Sequence, residues 1–517
     1  MANKSHFRST IGKLLPKTDT FNHAGQPAFD YGWDHALAQL AMTGTFNDGF
    51  YGSGETQVSD LLLAAETADP VFLAQTAIYA RKAGYMKDTP AFLLAVLSMK
   101  DPALFARTFG RVIDNGKMLR NFVQIMRSGV VGRKSLGTGP KRMVQNWLNS
   151  ASDWQLLNAA VGNDPSLADV IKMVHPKPDT PERDALYAWI MGKPCDFAKL
   201  PKAVQEYRLL KETGKGRLPD VPFQMLTSLP LSATHWAKIA RRSSWQMVRM
   251  NLNTFARHGV FGLKRSGDEI AAKLRDAEAI KKAKAMPYQL LATATALAPE
   301  VPAAVRDALY DAMETAVSNA PKIAGGVVIC PDVSGSMTSP VTGYRRGSTT
   351  AVRCVDVAGL VAAAMLRTNP GAQIMPFDTK VHKAWFTNRD SVLTNAQRLA
   401  EYGGGGTDCT APLRALNAKR RAPDLVIFVS DNQSWAHQGD GRSTPMMAEW
   451  AKLKSRNPRA KLVCIDIAPY GSTQAKSSED ILNVGGFSDA VFDVIARFAQ
   501  GENGTRYWVS QIASIEV

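Results

Sequence analysis

A strand that ends in oxygen-bearing side chains constrains this chain more than any other feature. Residues 323–330 are mostly apolar and are bounded by Gly and polar residues, which is typical of a buried strand. Asp332, Ser334 and Ser336 follow at alternate positions. One carboxylate and two hydroxyls form an all-oxygen group of the kind that a hard divalent cation prefers. The sequence therefore predicts a cation site at the end of this strand.

Two later segments supply more oxygen atoms. Thr407 follows the turn 403–406, which consists of four glycines, and Asp431 ends a second apolar strand at 425–430. Open α/β sheets bind ligands at the carboxyl ends of their strands, so we expect these side chains to meet. A phosphate-binding loop is disfavoured because no Gly-Lys-Ser/Thr sequence follows the glycines. The alternative is a Ser-rich turn that merely closes an ordinary strand.

Size and composition narrow the class of protein. The 517 residues suffice for two to four domains, and a content of 45% hydrophobic and 21% charged residues is typical of a soluble globular protein. No apolar run approaches the ~20 residues that span a bilayer, and residues 1–20 lack the apolar core of a secretion signal. The five cysteines show no paired metal spacing. We therefore expect a cytoplasmic protein without membrane association.

Positive charge is concentrated in two windows that contain no acidic residue. The formal net charge is +16, and residues 115–152 and 221–267 each contain seven basic residues. Solvated helix faces usually alternate in sign, so these windows indicate surfaces for a polyanion, with RNA or DNA as the leading candidate. A solvated face without a partner is the alternative. The candidate contacts are Lys117, Arg120, Arg127, Arg133, Lys134, Lys141 and Arg142 in the first window and Arg249 in the second.

The pattern of apolar residues divides the chain near residue 322. Residues 27–320 consist of short helical segments, and helix pairs that recur at roughly 40 residues predict a HEAT-like solenoid. From residue 325 onward, apolar strands (325–330, 373–377, 381–386, 425–430, 462–467) alternate with helical segments (352–367, 391–401, 411–419, 445–455, 489–499). This alternation predicts a doubly wound, Rossmann-like α/β domain. We expect 381–386 to be an antiparallel edge strand and the tail 506–512 to pack on another domain.

The predicted cation site resembles a known one. The Asp-x-Ser-x-Ser strand end, the Thr after a Gly-rich loop and the Asp after a later strand resemble the von Willebrand factor A domain and its metal-ion-dependent adhesion site. The resemblance implies that Ser334, Ser336 and Thr407 bind the metal directly. Asp332 and Asp431 would act mainly through water or hydrogen bonds. The implied ion is Mg²⁺, with Mn²⁺ as an alternative, and an open coordination position would accept a partner's carboxylate.

A basic helical solenoid joined to one such domain resembles the Ro ribonucleoproteins, whose helical module is called TROVE, and in particular their bacterial members. Segments 79–90, 245–252 and 279–287, followed by the Asp-Val-Ser-Gly-Ser strand end, carry this resemblance. It implies a TROVE domain at 1–322 and a von Willebrand factor A domain at 323–517. The solenoid would curve into a ring that the A domain closes.

The same resemblance suggests further RNA contacts. Segment 168–178 contains Lys172, His175 and Lys177, and it matches a family helix whose histidine and basic residues contact RNA. The family's animal members carry a Lys/Arg cluster just upstream, whereas residues 158–164 are neutral to acidic here. A histidine before a proline is, as the alternative, a capping or packing residue.

The resemblance also implies a function and partners. Small structured Y RNAs would bind the basic outer surface, and single-stranded 3′ ends of misfolded RNA would enter the central hole. An exoribonuclease such as polynucleotide phosphorylase would be tethered through RNA, and we expect the protein itself to be a monomer.

The leading hypothesis is a non-enzymatic protein of RNA quality control. The sequence contains no nucleophile–base pair, no carboxylate-rich hydrolytic metal site and no nucleotide-binding loop. The second hypothesis is an A-domain adaptor that binds a protein partner through its metal site while the helices serve as a scaffold. The acid-free basic windows favour RNA over this adaptor. A metal-dependent nuclease is the least favoured reading.

Overall fold

The computed structural model describes residues 15–283, 285, 287–317, 320–344, 352–435, 443–501 and 506–517. Lys284 and Met286 of the segment 279–287 thus lie outside the described residues. The chain forms two compact units. The A-domain unit lies within residues 1–68, 83–85 and 271–515, and the helical unit comprises residues 69–82, 86–270 and 516–517. In the described part of the chain, no helix is both long enough and apolar enough to cross a bilayer.

The secondary structure is mainly helical. The first elements are β1 (Thr20–Phe21), β2 (Pro27–Asp30), α1 (Trp33–Thr43) and α2 (Gly54–Thr67). Seventeen helices follow: α3 (Pro70–Lys82), α4 (Asp88–Lys100), α5 (Pro102–Val112), α6 (Gly116–Ser128), α7 (Thr138–Ser150), α8 (Asp153–Ala159), α9 (Leu167–Val174), α10 (Pro181–Ile190), α11 (Lys202–Thr213), α12 (Phe223–Leu226), α13 (Ala233–Arg242), α14 (Trp245–Met250), α15 (Leu252–Arg257), α16 (Ser266–Arg275), α17 (Ala277–Ala283), α18 (Pro287–Thr295) and α19 (Ala303–Ala316). The last part contains β3 (Val327–Pro331), α20 (Cys354–Thr368), β4 (Gln373–Ile374), α21 (Val392–Ala400), α22 (Ala411–Ala418), β5 (Leu425–Ser430), α23 (Pro445–Lys454), β6 (Lys461–Asp466), β7 (Ser472–Thr473), β8 (Ile481–Gly485), α24 (Asp489–Gln500) and α25 (Tyr507–Ala513).

Helices of the helical unit pack against near neighbours in sequence. Helix α3 packs against α4 and α5, α4 against α5 and α6, α5 against α7, α6 against α8 and α9, and α7 against α9. At one junction the buried rings of Phe105, Phe109 and Phe122 contact one another. Short-range packing of this kind is typical of a solenoid, in which each repeat buries its apolar face against the next.

Helices α5 and α6 begin and end at residues that suit helix termini. The Asp101 carboxylate accepts hydrogen bonds from the backbone N–H groups of Ala103 and Leu104, and Pro102 is the first helical residue of α5. The Asn115 side chain caps α6, which ends at Gly129 with a φ of 89°. These caps fix the positions of the basic residues on α6.

The A-domain unit contains a five-stranded parallel sheet with the order β4-β3-β5-β6-β8. Side chains alternate along each strand. Val328, Val426 and Leu462 join one buried core together with Leu413 of α22 and Trp450 of α23. Helices α20 and α24 also contact the strands of the sheet. The predicted helical segments of this region are confirmed as α20 to α24.

The strand predictions were mostly confirmed. Strands predicted at 325–330, 373–377, 425–430 and 462–467 correspond to β3 to β6. The edge strand predicted at 381–386 was wrong, since Val381 forms only an isolated antiparallel bridge with Phe377. Val381 still packs against the core of the domain, but Trp385 is 84% exposed, so the segment does not continue as a strand that buries one face. Strand β8 was missed because its short sequence, Ile-Leu-Asn-Val-Gly, contains residues that are rare in strands.

The N-terminal residues pack within the A-domain unit. Strand β2 pairs antiparallel with β7, and α1 packs against β8 and α25. The His35 and Trp508 rings meet edge to face, with centroids 5.2 Å apart. The tail 506–512, which was predicted to pack on another domain, packs on α1 within the same compact unit. The domain boundary at 322/323 stays a prediction, and the compact A-domain unit also includes β1 to α2 and α17 to α19.

Candidate functional site

The loop after β3 and the glycine loop 403–406 are hydrogen-bonded to each other at the carboxyl edge of the parallel sheet. Gly335 N–H donates to the Gly405 carbonyl at 2.8 Å, and Gly404 N–H donates to the Val333 carbonyl at 2.9 Å. Gly403 has a φ of 90°, and a Cβ atom there would lie 1.8 Å from the Val333 carbonyl oxygen. Only glycine permits such an approach. The glycine run therefore locks its loop onto the end of β3.

This edge brings together the residues that the sequence predicted for a metal. Each of them is at most 5% exposed, and they are Asp332, Ser334, Ser336, Thr407 and Asp431. The Asp332 carboxylate accepts hydrogen bonds from Ser334 N–H at 2.8 Å and from the Ser430 hydroxyl at 2.6 Å. The hydroxyl oxygens of Ser334 and Ser336 lie 3.3 Å apart.

The electrostatics of this edge suit a cation. Burial, and next the nearby Asp431 carboxylate, raises the pKa of Asp332 to about 7. Burial also raises the pKa of Asp431. Two neighbouring carboxylates in a buried site repel each other, and a divalent cation would relieve both the burial cost and the repulsion. The residues therefore fit a metal.

Hydroxyl groups are essential to this donor set. Among the described residues, no group of three or more His, Cys, Asp or Glu side chains is arranged to hold a metal. The edge offers two carboxylates and three hydroxyls, and such an all-oxygen set suits Mg²⁺, which keeps several waters, better than Zn²⁺.

The predicted RNA contacts differ in their accessibility. Seven are exposed, namely Lys117, Arg127, Lys134, Arg142, Lys172, His175 and Lys177, and Arg133 and Lys141 are half-buried. Arg120 and Arg249 are buried, at 9% and 6% exposure. The Arg120 guanidinium donates to the carbonyls of Val161, Asn163 and Pro165. Arg120 therefore stabilises a turn instead of facing solvent, and the placement of both arginines on an RNA-binding surface is corrected.

The structure brings two of the predicted groups together. On α7, Gln145 Nε2 donates to the Val174 carbonyl at 2.5 Å, and Asn149 Nδ2 donates to the Lys177 carbonyl at 2.8 Å. The segment after α9 therefore lies along α7. Arg142 is one turn before Gln145, on the same side of the helix. The first basic window and the segment with His175 thus meet.

Helix α6 adds to the same region. Hydrogen bonds from Ser166 lower the pKa of Asp169, and the positive charges of Lys172 and Arg127 also lower it. Arg127, at the end of α6, and Lys172, on α9, are thus both within electrostatic range of Asp169, and α6 packs against α9. We call the exposed residues Arg127, Lys134, Arg142, Lys172, His175 and Lys177 the α7–α9 basic surface.

Six other basic side chains of the helical unit form ion pairs with acidic residues. The ion pairs among its described residues involve Arg81, Lys82, Arg183, Lys199, Arg208 and Arg241. None of them belongs to the α7–α9 basic surface. This surface thus presents cations that are available to a polyanion.

Comparison with known proteins agrees with this geometry. A family model described as Ro60 vWA domain matches residues 327–499. The chain is 26% identical over 538 aligned residues to RNA-binding protein RO60 of Deinococcus radiodurans, covering 94% of this chain and 96% of that protein. The predicted resemblance to the Ro proteins is confirmed.

The fold agrees as well. The crystal structure of the Deinococcus radiodurans RO (RSR) protein superimposes with a TM-score of 0.60 at 22% identity, over 90% of this chain and 100% of that chain. This likeness confirms the predicted fold class of helical repeats with a von Willebrand factor A domain. RNA-binding protein RO60 of Caenorhabditis elegans is 24% identical over 246 residues, which is 46% of this chain and 37% of that protein.

Two residues of this Ro-like chain were missed by sequence reasoning. Asp466 ends β6 at the same sheet edge, is fully buried and accepts from Asn432 Nδ2 at 3.2 Å. The strand-end rule that identified Asp431 also applies to it. Lys87, an exposed residue just before α4, has a lowered pKa because the surrounding protein reduces its solvation and the positive charge of Lys117 acts on it. No sequence pattern marked Lys87.

Proposed function

We propose that this chain is an RNA-binding protein of the Ro type that acts in RNA quality control in the cytoplasm and has no catalytic activity of its own. The observation that carries this proposal is the α7–α9 basic surface, because its exposed cations come from three helices and their loops. The relatives named RNA-binding protein RO60 support the same conclusion.

The proposed mode of binding follows from the chemistry of Lys and Arg. These side chains contact phosphates and fix RNA in place without reading its sequence. A structured, Y-like RNA binds this outer surface. In this proposal, a narrow central hole admits a single strand but excludes a duplex. Misfolded RNAs are then selected by an accessible 3′ end instead of by sequence.

The proposed metal is Mg²⁺, with Mn²⁺ as the alternative. Ser334, Ser336 and Thr407 would hold it through their hydroxyls, and Asp332 and Asp431 would orient those hydroxyls or bind through water. The bound cation supplies positive charge for two buried carboxylates. In this proposal it organises the sheet edge and takes no part in RNA chemistry.

Filter binding tests the RNA proposal. We would compare a hairpin RNA with a single-stranded 3′ extension, the same hairpin without it, and a duplex DNA of equal charge, each at two salt concentrations. The expected result is tightest binding of the extended hairpin and weaker binding at higher salt. Equal and weak binding of all three molecules would contradict the proposal.

The proposed partner is a 3′-to-5′ exoribonuclease such as polynucleotide phosphorylase, tethered through the bound RNA. When one RNA binds both proteins, the effective concentration of the exoribonuclease near this protein rises, and no new contact between the proteins is needed. A pull-down of the exoribonuclease from lysate should lose its signal after RNase treatment. Recovery that survives RNase but disappears on chelation of divalent metal would favour the adaptor hypothesis, with docking at Thr407 and its neighbours.

A further inference from the structure

A short N-terminal segment lies against the candidate metal centre. We call residues 44–53, between α1 and α2, the strap. Gln57 of α2 fixes its shape, since Gln57 Oε1 accepts from the N–H groups of Thr45 and Phe46 at 3.2 Å each. Gln57 Nε2 donates to the Asn47 carbonyl at 2.6 Å. The strap is therefore an ordered element.

The strap is hydrogen-bonded to the A domain at several points. Asn47 Nδ2 donates to the Thr342 carbonyl at 2.9 Å, and Tyr344 N–H donates to the Asp48 carbonyl at 2.7 Å. Gly343, with a φ of 70°, leaves no room for a side chain, because a Cβ atom there would lie 2.8 Å from Asn47 Cβ. These contacts hold the strap next to the loop that follows Ser336.

The strap places Tyr51 at the predicted metal ligands. Tyr51 N–H donates to the Tyr470 hydroxyl at 3.3 Å, which anchors the residue. Burial and the nearby Asp431 carboxylate raise the pKa of the Tyr51 phenol, whereas interactions with the side chains of Ser336 and Trp435 oppose this rise. The Tyr51 ring lies edge-on to the Tyr470 ring, with centroids 5.9 Å apart, and Tyr470 lines a small cavity together with Ser336 and Asp431.

A small cavity remains beneath the strap. Its volume is about 40 Å³, and its lining includes Gly49, Phe50 and Tyr470 together with Ser336 and Asp431. A water molecule needs roughly 10–15 Å³ by this measure, so the cavity has room for about three water-sized positions. That space suits a hydrated ion but leaves little for a carboxylate side chain from another protein.

We infer that the strap closes the metal centre and that Tyr51 occupies the place that an incoming carboxylate would take. The metal site of this chain is thus internal and selects a small hydrated cation over docking by an acidic partner. Closure of the strap and metal binding then stabilise each other, since coupling between two sites is reciprocal. This inference rests on the proposed metal site and is independent of RNA binding.

Competition between the strap and a carboxylate tests the inference. Mn²⁺ bound to the full-length protein is followed by electron paramagnetic resonance while acetate is added as the carboxylate probe. The acetate midpoint is the acetate concentration that gives half of the change in the Mn²⁺ spectrum. If the strap is open about one-tenth of the time, Tyr51→Ala should lower this midpoint about tenfold. Phe21→Ala is the matched control, because Phe21 is an exposed aromatic residue of the same N-terminal region that lies in β1, outside the strap.

A second variant loosens the strap and retains Tyr51. Gln57→Ala removes the hydrogen bonds that shape the strap and should shift the acetate midpoint in the same direction. In the wild-type protein, Mg²⁺ should slow amide hydrogen exchange in residues 45–53. Thr407→Val should abolish this protection, because it removes a metal ligand distant in sequence from the strap.

The outcomes separate the two proposals. Mn²⁺ binding with a lower acetate midpoint in Tyr51→Ala and Gln57→Ala, but not in Phe21→Ala, supports closure by the strap. Mn²⁺ binding with unchanged midpoints and no metal-dependent protection overturns closure and leaves the metal site standing. No Mn²⁺ binding by the wild-type protein overturns both the metal site and the closure.

Discussion

Neutralising the α7–α9 basic surface is the most direct test of RNA binding. The perturbation replaces Lys134, Arg142, Lys172 and Lys177 with Gln. All four side chains are exposed, so their removal leaves no buried group unpaired and should not change the folded structure. Gln retains a similar length and polarity, which confines the change to charge.

The expected magnitude follows from counterion release. Each phosphate contact contributes about −0.7 to −0.9 to the slope of log affinity against log salt. If all four cations contact phosphates, the slope should become less steep by about 3. Between 50 and 200 mM salt, four such contacts account for a loss in wild-type affinity of roughly 50-fold to 150-fold. The variant should lack most of this salt sensitivity.

The assay is filter binding of the extended hairpin RNA at several salt concentrations. The control variant replaces Lys380, Lys383, Arg389 and Lys419 of the A-domain unit with Gln, and these four side chains are also exposed. Both variants lower the net charge equally, so a general effect of charge would appear in both. Circular dichroism and thermal melting would establish that both remain folded.

Two results would refute the reasoning. An unchanged slope and affinity in the first variant would show that the α7–α9 basic surface does not contact RNA. An equal loss in both variants would show that net charge, and not this surface, governs binding.

Four further predictions concern the candidate metal centre and the protein interior. Asp332→Ala should abolish metal binding, measured by calorimetry, but leave RNA affinity within about twofold, because the basic surface lies in the other unit. Because the pKa of Asp332 is raised to about 7, protons should compete with metal, and affinity should fall as pH drops below 7. In the metal-free protein, the raised pKa means that Asp332 contributes less stability as pH rises from about 4 to 7, a dependence that Asp332→Asn should reduce in pH-dependent melts. Arg120→Ala should lower the free energy of unfolding by about 1–3 kcal/mol, because it removes the hydrogen bonds of a buried guanidinium to three carbonyls of a turn, while the salt slope of RNA binding stays unchanged.

The candidate metal centre could be predicted from the sequence, because open α/β sheets bind ligands at the carboxyl ends of their strands. Parallel strands meet at one edge, so Asp332 and Asp431 could be placed together without knowing any other contact. The same rule would have found Asp466. Strand β8 was not predicted, because it has only five residues and two of them, Asn and Gly, are uncommon in strands.

The candidate RNA contacts were harder to predict, because the charge of a residue does not show whether its side chain points to solvent or into the protein. Arg120 lies in α6 beside the buried residues Leu119 and Val123, and its position on the helix was a signal that it faces inward. Arg249 is buried for reasons that no local pattern reveals. The position of the strap and Tyr51 could not be predicted from the sequence, because they contact the A domain through residues that are far apart in sequence.

The pairing of β2 with β7 has a consequence for the order of events on the ribosome. Phe29 is fully buried and pairs with Thr473. At about 5–20 residues per second, the roughly 440 residues between these partners take about 20 to 90 s to synthesise. During that time β2 can pair only with the two-residue strand β1, and Phe29 lacks the β7 partner beside which it is buried. Chaperone binding to residues 20–30 should therefore be strongest on ribosome-bound chains and be lost once synthesis passes residue 473.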